Sequence, residues 1–577
     1  MLNRFPRPSF LRKKWVSLNG TWHFAFDDDN IGVREQWYSN KDKYPLLINV
    51  PYTFETQLSG INRQEHHDHV WYYRELNLRR DKSNPVVILH FQAVDYSSKY
   101  YLNGELVAEN IGGQTPISID ISDKLNYKND VISVYVEDKM ENKSQPRGKQ
   151  YWKEKPEIIW YNRTTGIWGS VWAEYLPTDH ITQAKITPLY DEGKVSIELF
   201  VNNPGRPYMI KVAGKTIKGI ASDQKTKISI EVFKDINVKK RKSWTPEHPF
   251  LFPIIFCYGI DKVKSYFGMR KVEAKAGRIL LNNEPYFLKM VLDQGYYPKS
   301  LLTAPSYKQL KKDILMTKAM GFNGARLHQK VADEWFLYYA DRLGYIVWGE
   351  DASGYEFNDE LVKSQINDWK RIVARDYNHP SIIAWIPLNE SWGVPDISYD
   401  KSQQQFSVDI VNTIKEMDPT RLVVSNDGWE QTIGDLCCIH NYNHGQRSDE
   451  EKQRKFSNDI SSVEKLIAST PAKKKIYADG YAYKGQPIIL SEFGGIAYNS
   501  NNGWGYTSVK NSNELLEEYA RIIDAVKNSS GLAGFCYTQL TDVQQEINGL
   551  LTFDRKYKIK PNKVRKVNSS IAKGGPR

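Results

Sequence analysis

Two glutamates follow apolar segments that have the character of buried strands. Glu390 comes directly after IIAWIPLN (382–389), and Glu492 comes after PIILS (487–491). A pair of carboxyl groups can divide acid–base chemistry, because one stays ionised while the other carries a proton. On either side of a glycosidic bond, such a pair is the minimum machinery for retaining glycoside hydrolysis. The two residues are 102 positions apart in the chain, so only the fold can bring them together.

Polar side chains also stand near the ends of other apolar segments in the C-terminal half. Arg326 ends one of them and is followed by His328 and Gln329, and His440 lies near the end of another. An arginine beside a carboxylate keeps that carboxylate ionised, which is useful for a nucleophile. The alternative for Arg326 is a scaffolding ion pair with Glu350.

The elements that must position these residues alternate between strands and helices from about residue 273 onward. Amphipathic stretches such as SYKQLKKDILMTKAMG and NELLEEYARIIDAVKN separate eight short apolar segments. Eight strands with intervening helices predict a closed (β/α)8 TIM barrel over 273–577, with its active site at the carboxyl ends of the strands. The predicted strands are 286–291, 322–327, 345–350, 382–388, 421–425, 436–442, 487–492 and 533–538.

The rest of the chain predicts two β-sandwich domains. Residues 1–178 alternate apolar and polar positions and contain Asn103-Gly104, a strong hairpin signal. They predict a jelly-roll domain of the sugar-binding kind. Residues 179–272 carry short strands at close spacing, as in an immunoglobulin-like sandwich. This middle part shows no group of residues that could do chemistry, so we expect it to fix the geometry of its neighbours.

Composition excludes several classes of function. The net charge is +11, but lysines and arginines are scattered among acidic residues, and the densest basic runs (239–242 and 563–566) resemble a loop and a tail. No nucleic-acid partner is therefore expected. No apolar run is long enough to span a membrane. Aromatic residues make up 13% of the chain, which slightly favours a carbohydrate ligand, because sugar faces stack on rings.

The four cysteines show neither metal-ligand spacing nor a disulfide framework. They favour a reducing compartment, and we expect a cytoplasmic protein; a removed signal peptide would instead imply a periplasmic or secreted one. We predict no cofactor and no metal site. A homo-oligomer is compatible with the sequence.

Six motifs, in the expected order, resemble glycoside hydrolase family 2, the family of β-galactosidases, β-glucuronidases and β-mannosidases. NHPSIIAWIPLNESWG is similar to the acid/base signature of that family, and PIILSEFGG to its nucleophile segment. The resemblance covers about residues 15 to 560. The other motifs are LNGTWHFAFDD, TTGIWGSVW, GFNGARLHQ and GFCYTQLTDVQQEINGLLTFDR.

The resemblance implies roles for five residues. Glu390 takes the position of the acid/base, and Glu492 that of the nucleophile. Asn389 corresponds to the asparagine that binds the sugar 2-hydroxyl, a contact that strengthens in the transition state. Arg326 stands where the family places an arginine near the nucleophile, and Tyr442 where it places a tyrosine whose hydroxyl contacts the nucleophile.

Departures from the family pattern bear on the sugar. Gln294 and Gln329 replace histidines of well-known β-galactosidases, which removes two expected sugar contacts. The Asn-x-Lys with which β-glucuronidases hold the sugar carboxylate is replaced by Glu546 and Asn548. A uronic acid is therefore disfavoured, because Glu546 would repel it.

The resulting prediction is a retaining exo-glycosidase that acts on terminal neutral β-glycosides. A specificity like that of a β-galactosidase is the one that we favour. The alternatives are another specificity within the family (β-glucuronidase, β-mannosidase, or arabinosidase or galactofuranosidase) and a carbohydrate-binding protein without turnover. The expected partner is an oligosaccharide or glycoside. Asp293 and Trp392 are expected to replace the missing sugar contacts. The predicted substrate-binding residues are Asn389, Arg326, Tyr442, Asp293, Gln294, Gln329, His328, His440 and Trp392.

Overall fold

The computed structural model describes residues 4–233, 242–498 and 503–575 of the chain. Antiparallel sheets make up the first half, and parallel strands alternate with helices in the second. This order agrees with the hydrophobic patterns, and the predicted multidomain fold is confirmed. Of the basic run 239–242, residues 239–241 lie outside the described residues.

The first group of strands forms a sandwich. Strands β1 to β12 span Trp15–Ser17, Gly20–Phe26, Leu46–Val50, His69–Leu76, Val86–Phe91, Val94–Asp95, Ser97–Leu102, Glu105–Ile111, Ile117–Asp120, Asp130–Glu137, Gly166–Ile167 and Val171–Leu176. One sheet has the order β1-β12-β5-β9 and the other β3-β2-β4-β10-β7-β8. Trp22 and Phe91 join the sheets in the core, with ring centroids 6.4 Å apart. The predicted hairpin is present, because Asn103 and Gly104 both take the positive φ that a two-residue turn between β7 and β8 requires.

A second sandwich follows. Strands β13 to β19 span Ile181–Leu189, Lys194–Val201, Pro207–Val212, Lys215–Ile220, Lys225–Glu231, Phe252–Tyr258 and Asp261–Phe267. They form the sheets β13-β14-β17 and β16-β15-β18-β19. Strand β14 shows the alternation behind this packing: Val195, Ile197 and Leu199 are buried in the core, whereas the residues between them are half-exposed.

Eight parallel strands then form the barrel. Its strands are β23 Leu288–Asp293, β24 Gly324–Leu327, β25 Ile346–Glu350, β26 Ile382–Ile386, β27 Leu422–Val423, β28 Cys437–His440, β29 Ile488–Gly494 and β32 Leu532–Thr538. They run in the order β27-β26-β25-β24-β23-β32-β29-β28, so each predicted segment supplies one strand. Between the edge strands β27 and β28, the Gln431 side chain donates to Cys438 O at 2.8 Å and accepts from Cys438 N at 3.0 Å. This side chain takes the place of a neighbouring strand.

Smaller elements complete the barrel. A three-stranded sheet of β20 Val272–Lys275, β21 Arg278–Leu281 and β22 Glu284–Pro285 packs against the barrel interior. Strands β30 Ile496–Tyr498 and β31 Thr507–Val509 form a separate two-stranded parallel sheet, which contacts α7. Helices α1 to α8 span Tyr307–Ala319, Glu334–Leu343, Asp359–Asp376, Lys401–Met417, Glu450–Asp459, Val463–Ala468, Ser512–Lys527 and Pro561–Asn568.

The helices test two predictions. Both stretches predicted to be amphipathic are helices, α1 and α7. The basic run 563–566, expected to be a tail, instead lies in α8, which packs on the barrel through the buried side chain of Val564. Among the described residues, no helix combines the length and apolar character that crossing a membrane requires.

The first domain covers the carboxyl ends of the barrel strands. The backbone N–H groups of Arg147 and Gly148 both donate to Ser353 O, which follows β25, at 3.0 Å. The Trp160 ring lies 5.3 Å from that of Trp392, which follows β26. Residues of two domains therefore meet where barrel enzymes do their chemistry.

Candidate active site

The barrel brings the two glutamates of the sequence analysis to one place. An oxygen of Glu390, a nitrogen of His440 and an oxygen of Glu492 all lie within 4.8 Å of one another. Retaining glycosidases hold their two carboxyl groups about 5–5.5 Å apart, whereas inverting enzymes need about 6.5–9.5 Å to admit a water. The short separation therefore fits double displacement.

The backbone at Glu390 has an unusual conformation. Glu390 has φ 51° and Ser391 has φ 60°, in the left-handed region that non-glycine residues seldom adopt. Two hydrogen bonds hold this turn: Glu390 N donates to Asp427 O at 2.8 Å, and Ser391 N donates to Asn426 Oδ1 at 3.0 Å. The turn directs the Glu390 side chain, which remains partly exposed, towards His440 and Glu492.

Arg326 connects four polar side chains beneath the pair. Its guanidinium lies 2.7 Å from Glu492 Oε1, 2.8 Å from Glu350 Oε2 and 2.8 Å from Asp427 Oδ2. It also donates to Asn389 Oδ1 at 2.6 Å. The guanidinium is fully buried, so its charge needs these partners. Arg326 therefore forms both the scaffolding ion pair with Glu350 and the contact with Glu492, which the sequence analysis gave as alternatives.

Glu492 has the electrostatics of an ionised carboxylate. Burial alone would raise its pKa, but His440 and Arg326 outweigh burial and hold the pKa at about 2. The Tyr442 hydroxyl donates to Glu492 Oε2 at 2.5 Å, so both oxygens are bound. The Tyr442 ring is stacked on Tyr506 at 3.4 Å between centroids. A carboxylate held in this manner is fixed in position and charged at neutral pH.

His440 lies between the two glutamates. Its Nδ1 is 2.7 Å from Glu390 Oε1, and its Nε2 is 3.3 Å from Asp427 Oδ1 and 3.5 Å from Glu492 Oε1. Burial alone would lower the pKa of His440, but Glu492 and Asp427 raise it to about 10. The imidazole is therefore charged at neutral pH and offsets part of the negative charge around it.

The same three side chains could in principle ligate a metal ion. Among the described residues, Glu390, His440 and Glu492 are the one group of at least three such side chains with ligand atoms within 4.8 Å. However, both nitrogens of a protonated His440 carry hydrogen, and Arg326 already binds a Glu492 oxygen. The arrangement fits proton chemistry better than a metal ion, and the expectation of no metal site stays a prediction.

The charge on His440 predicts a pH-dependent stability difference. Its pKa is about 10 in the folded chain and about 6.5 when unfolded. The stabilisation is therefore fully present below about pH 6.5 and is lost as the pH rises through about 10. From pH 6 to pH 10, the free energy of unfolding should fall by roughly 2–4 kcal/mol more in the wild type than in His440→Asn.

Urea unfolding at pH 6, 8 and 10 measures this difference. His248→Asn is the control, because His248 is exposed, and it should follow the wild-type curve. Parallel curves for the wild type and His440→Asn would show that His440 is not held protonated.

In the described part of the chain, the side-chain amide of Asn389 is hydrogen-bonded through its oxygen but not through its nitrogen. Its Oδ1 accepts from Arg326, whereas its Nδ2 has no partner among the described residues although the side chain is buried. An unsatisfied buried donor costs free energy. The amide next to Glu390 is therefore available to a sugar hydroxyl, as the resemblance implies.

The remaining predicted sugar contacts divide into two groups. His328 and Trp392 lie at the site. His328 Nδ1 is 3.1 Å from Arg326 Nη2, and the centroid of the Trp392 ring lies 5.8 Å from that of the His328 ring. Gln329 is occupied, since its amide donates to Glu350 at 2.9 Å and its carbonyl accepts from the backbone of the loop after β25. Such a residue shapes the loop rather than contacting a sugar.

Asp293 and Gln294 form no hydrogen bond with the two glutamates in the described part of the chain. Asp293 Oδ1 accepts from Gly295 N at 2.9 Å, and its side chain lines a small internal cavity together with Lys330. Gln294 is buried with its Oε1 unpaired. The lining of that cavity includes neither glutamate, so Asp293 is directed away from the carboxyl pair, whereas the role of Gln294 as a sugar contact stays a prediction.

Several residues of the site were missed by the sequence analysis. Asp427 ion-pairs with Arg326 and accepts a hydrogen bond from Ser491 Oγ. It lies two residues after a predicted strand, so the strand-end rule, by which polar residues just after a barrel strand are site candidates, could have found it. Lys149 and Trp160 come from the first domain. No pattern within the barrel sequence points to residues from another domain.

Comparison with known proteins agrees with this architecture. Residues 15–171 match the sugar binding domain of glycosyl hydrolases family 2, and residues 179–270 match a second domain of the same family. Residues 272–573 match its TIM barrel domain. The chain belongs to glycosyl hydrolase family 2. The resemblance described from the motifs is thereby confirmed.

Individual relatives in family 2 carry different names. The chain is 27% identical over 435 residues to a putative beta-glucuronidase of Formosa agariphila, an alignment that covers 70% of this chain and 50% of that protein. It is 25% identical over 394 residues to a beta-galactosidase of Thermoanaerobacter pseudethanolicus, with 65% and 50% covered. The chain thus spans about half the length of these curated relatives.

A solved structure with the same fold is a beta-glucuronidase of an uncultured Clostridium sp. The TM-score is 0.78 at 18% identity, and the match covers 99% of this chain and 100% of that one. At this identity, the likeness describes the fold and not the substrate.

Proposed function

We propose that this chain is a retaining exo-β-glycosidase. The observation that carries the proposal is the separation of less than 4.8 Å between an oxygen of Glu390 and one of Glu492, which fits the geometry of double displacement. The family membership supports the same reaction. Both carboxyl groups are present and partnered, which argues against a carbohydrate-binding protein without turnover.

In the proposed mechanism, Glu492 attacks the anomeric carbon of the bound sugar. The bond from that carbon to the leaving oxygen breaks, and Glu390 gives its proton to that oxygen. Water then attacks the covalent glycosyl-enzyme and releases the sugar with its original configuration, while Glu390 takes the proton. Arg326 and Tyr442 hold the oxygens of Glu492, and Asn389 offers its free Nδ2 to the sugar 2-hydroxyl.

Neutral sugars and acidic sugars are the two candidate substrate classes for this site. The sequence favours a neutral sugar, because Glu546 stands where family glucuronidases bind the sugar carboxylate. In the structure, however, Glu546 accepts from the Tyr161 hydroxyl and, at 3.1 Å, from Asn548 Nδ2. An engaged Glu546 repels an acid less than an open one, so the physical reason for excluding uronic acids is weakened. The relatives named beta-glucuronidase support the acidic alternative at least as well as those named beta-galactosidase support the neutral one.

Covalent trapping tests the reaction class. Dinitrophenyl 2-deoxy-2-fluoro glycosides leave a stable glycosyl-enzyme when a carboxylate attacks, and peptide mass mapping should place the sugar on Glu492. The set should include β-galactosyl, β-glucosyl, β-mannosyl, β-glucuronyl and arabinosyl derivatives, followed by kinetics on the matching nitrophenyl glycosides. Absence of labelling by every member would refute the proposed function.

A further inference from the structure

A segment of the first domain is pressed against the barrel close to the carboxyl pair. Gly148, with φ +59°, lies so near the loop after β24 that a Cβ there would stand 2.5 Å from Gln329 O. The Tyr355 hydroxyl, from the loop after β25, donates to Gly148 O. Close approach on both sides fixes the backbone of this segment, and the next residue, Lys149, is fixed with it.

The Lys149 side chain lies inside an aromatic enclosure. It is only 4% exposed. Its Nζ lies 5.8 Å from the ring centroid of Trp160, 5.3 Å from that of Tyr161 and 5.6 Å from that of Trp392. Trp392 follows Glu390 by two residues and contacts His328, so the enclosure borders the carboxyl pair.

The Lys149 ammonium has no ion-pair partner in the described part of the chain. Among the described residues, its Nζ forms neither an ion pair nor a hydrogen bond with any side chain or carbonyl. Burial lowers its pKa, against the opposing effect of Glu546 and Glu492, which favour the charged form. Two further buried cations lie beside the pair, and both have partners: Arg326 is matched by three carboxylates, and His440 lies between Glu390 and Asp427.

A buried ammonium without a hydrogen-bond acceptor is costly unless something supplies one. Glu546, the carboxylate that most favours the charged form of Lys149, is held instead by Tyr161 and Asn548. Cation–π contacts with three rings recover part of the cost. The acceptor that is missing is therefore expected to come from the ligand.

We propose that Lys149 is a specificity residue that binds an anionic group, a carboxylate or a sulfate ester, on the sugar held between Glu390 and Glu492. The inference rests on the proposed glycosidase function and names its substrate class. A charged group of the sugar completes the hydrogen bonding of the ammonium, and beside buried rings such an ion pair is stronger than in bulk water. A neutral sugar leaves the charge with only the rings.

The competing role for Lys149 is to balance the charge of the carboxylates around it. The two roles differ in what they do to selectivity. A residue that binds an anion of the substrate affects acidic glycosides far more than neutral ones. A residue that balances charge around Glu390 and Glu492 affects all glycosides alike, because every substrate uses the same pair.

The experiment compares Lys149→Met with the wild type on matched nitrophenyl glycosides. The acidic set is β-glucuronide, β-galacturonide and 6-sulfated β-galactoside, and the neutral set is β-glucoside and β-galactoside. In the wild type, we expect kcat/KM for one acidic glycoside to exceed that for its neutral counterpart at least a hundredfold. Lys149→Met should remove at least nine-tenths of this preference, mainly through KM, and Lys149→Arg should retain part of it.

Lys153→Met is the matched control. Lys153 lies on the same segment, but it is exposed and pairs with Glu157 at 3.4 Å, so its removal should leave the preference unchanged. The preferred member of the acidic set identifies the anion as carboxylate or sulfate. Equal losses on acidic and neutral glycosides in Lys149→Met, or a wild type that prefers neutral glycosides, would overturn the inference.

Failure of this inference can be distinguished from failure of the proposed function. If fluorinated neutral glycosides label Glu492 while Lys149→Met leaves the substrate preference unchanged, the glycosidase function stands and the role of Lys149 falls. If no fluorinated glycoside, neutral or acidic, labels Glu492, both fall together.

Discussion

Glu492→Gln is expected to lower kcat by at least about ten-thousandfold on every glycoside that the wild type hydrolyses, with the fold retained. An amide oxygen is too weak a nucleophile to form the glycosyl-enzyme. The replacement keeps the shape of the side chain: its Oε1 can accept from Arg326, and its Nε2 can donate to the Tyr442 oxygen. The chemistry is therefore removed while the contacts remain.

Steady-state kinetics together with circular dichroism and thermal unfolding test this expectation. Glu517→Gln serves as the control, because Glu517 is exposed and pairs only with Arg447 in the described part of the chain; its activity should equal that of the wild type. A Glu492→Gln enzyme that kept a tenth of the wild-type activity would show that another group attacks the sugar.

The barrel is the part of the fold that the sequence predicts best. Each of its strands is buried, so it appears as a short apolar run between amphipathic stretches. The observed bounds differ from the predicted ones by a few residues, as at Leu288–Asp293 against 286–291. Strand ends are set by hydrogen bonding with neighbours, which an apolar run does not record.

The strand-end rule locates a site but does not orient its side chains. Asn389 and Asp293 both come at the carboxyl end of a barrel strand. Asn389 reaches Arg326, whereas Asp293 turns to the backbone of Gly295 and a separate cavity. The difference depends on packing and on local turns, so it could not be predicted from position alone.

Contacts between domains were beyond the reach of sequence patterns. Lys149 lies in a segment between β10 and β11 that carries no periodic signal, and it reaches Trp392 only because the first domain docks on the barrel. Tyr161, which borders Lys149, also donates a hydrogen bond to Glu546, a residue that the sequence predicted to be an unpaired charge facing the sugar. The hydrogen bond from Tyr161, again from the first domain, weakens the argument against an acidic sugar.

Glu390→Ala is expected to separate substrates by their leaving group. Loss of a general acid removes about 10²–10⁴-fold in rate when the leaving group needs a proton. Hydrolysis of sugar or methyl β-glycosides should therefore fall by about a thousandfold or more, while formation of the glycosyl-enzyme from dinitrophenyl glycosides should fall less than about tenfold. Dinitrophenolate departs without a proton, so the missing carboxyl group matters little in that step.

The second step supplies a further test of Glu390. Water needs a base to attack the glycosyl-enzyme, so the intermediate should accumulate in Glu390→Ala. Azide needs no base and can enter the space that the shortened side chain leaves beside His440, so it should speed turnover of dinitrophenyl glycosides at least about tenfold and yield the β-glycosyl azide. Azide should not speed the wild type, in which Glu390 already serves the water. Equal losses on good and poor leaving groups, with no azide product, would assign proton transfer to another residue, and His440, whose Nδ1 lies 2.7 Å from Glu390 Oε1, would be the first to examine.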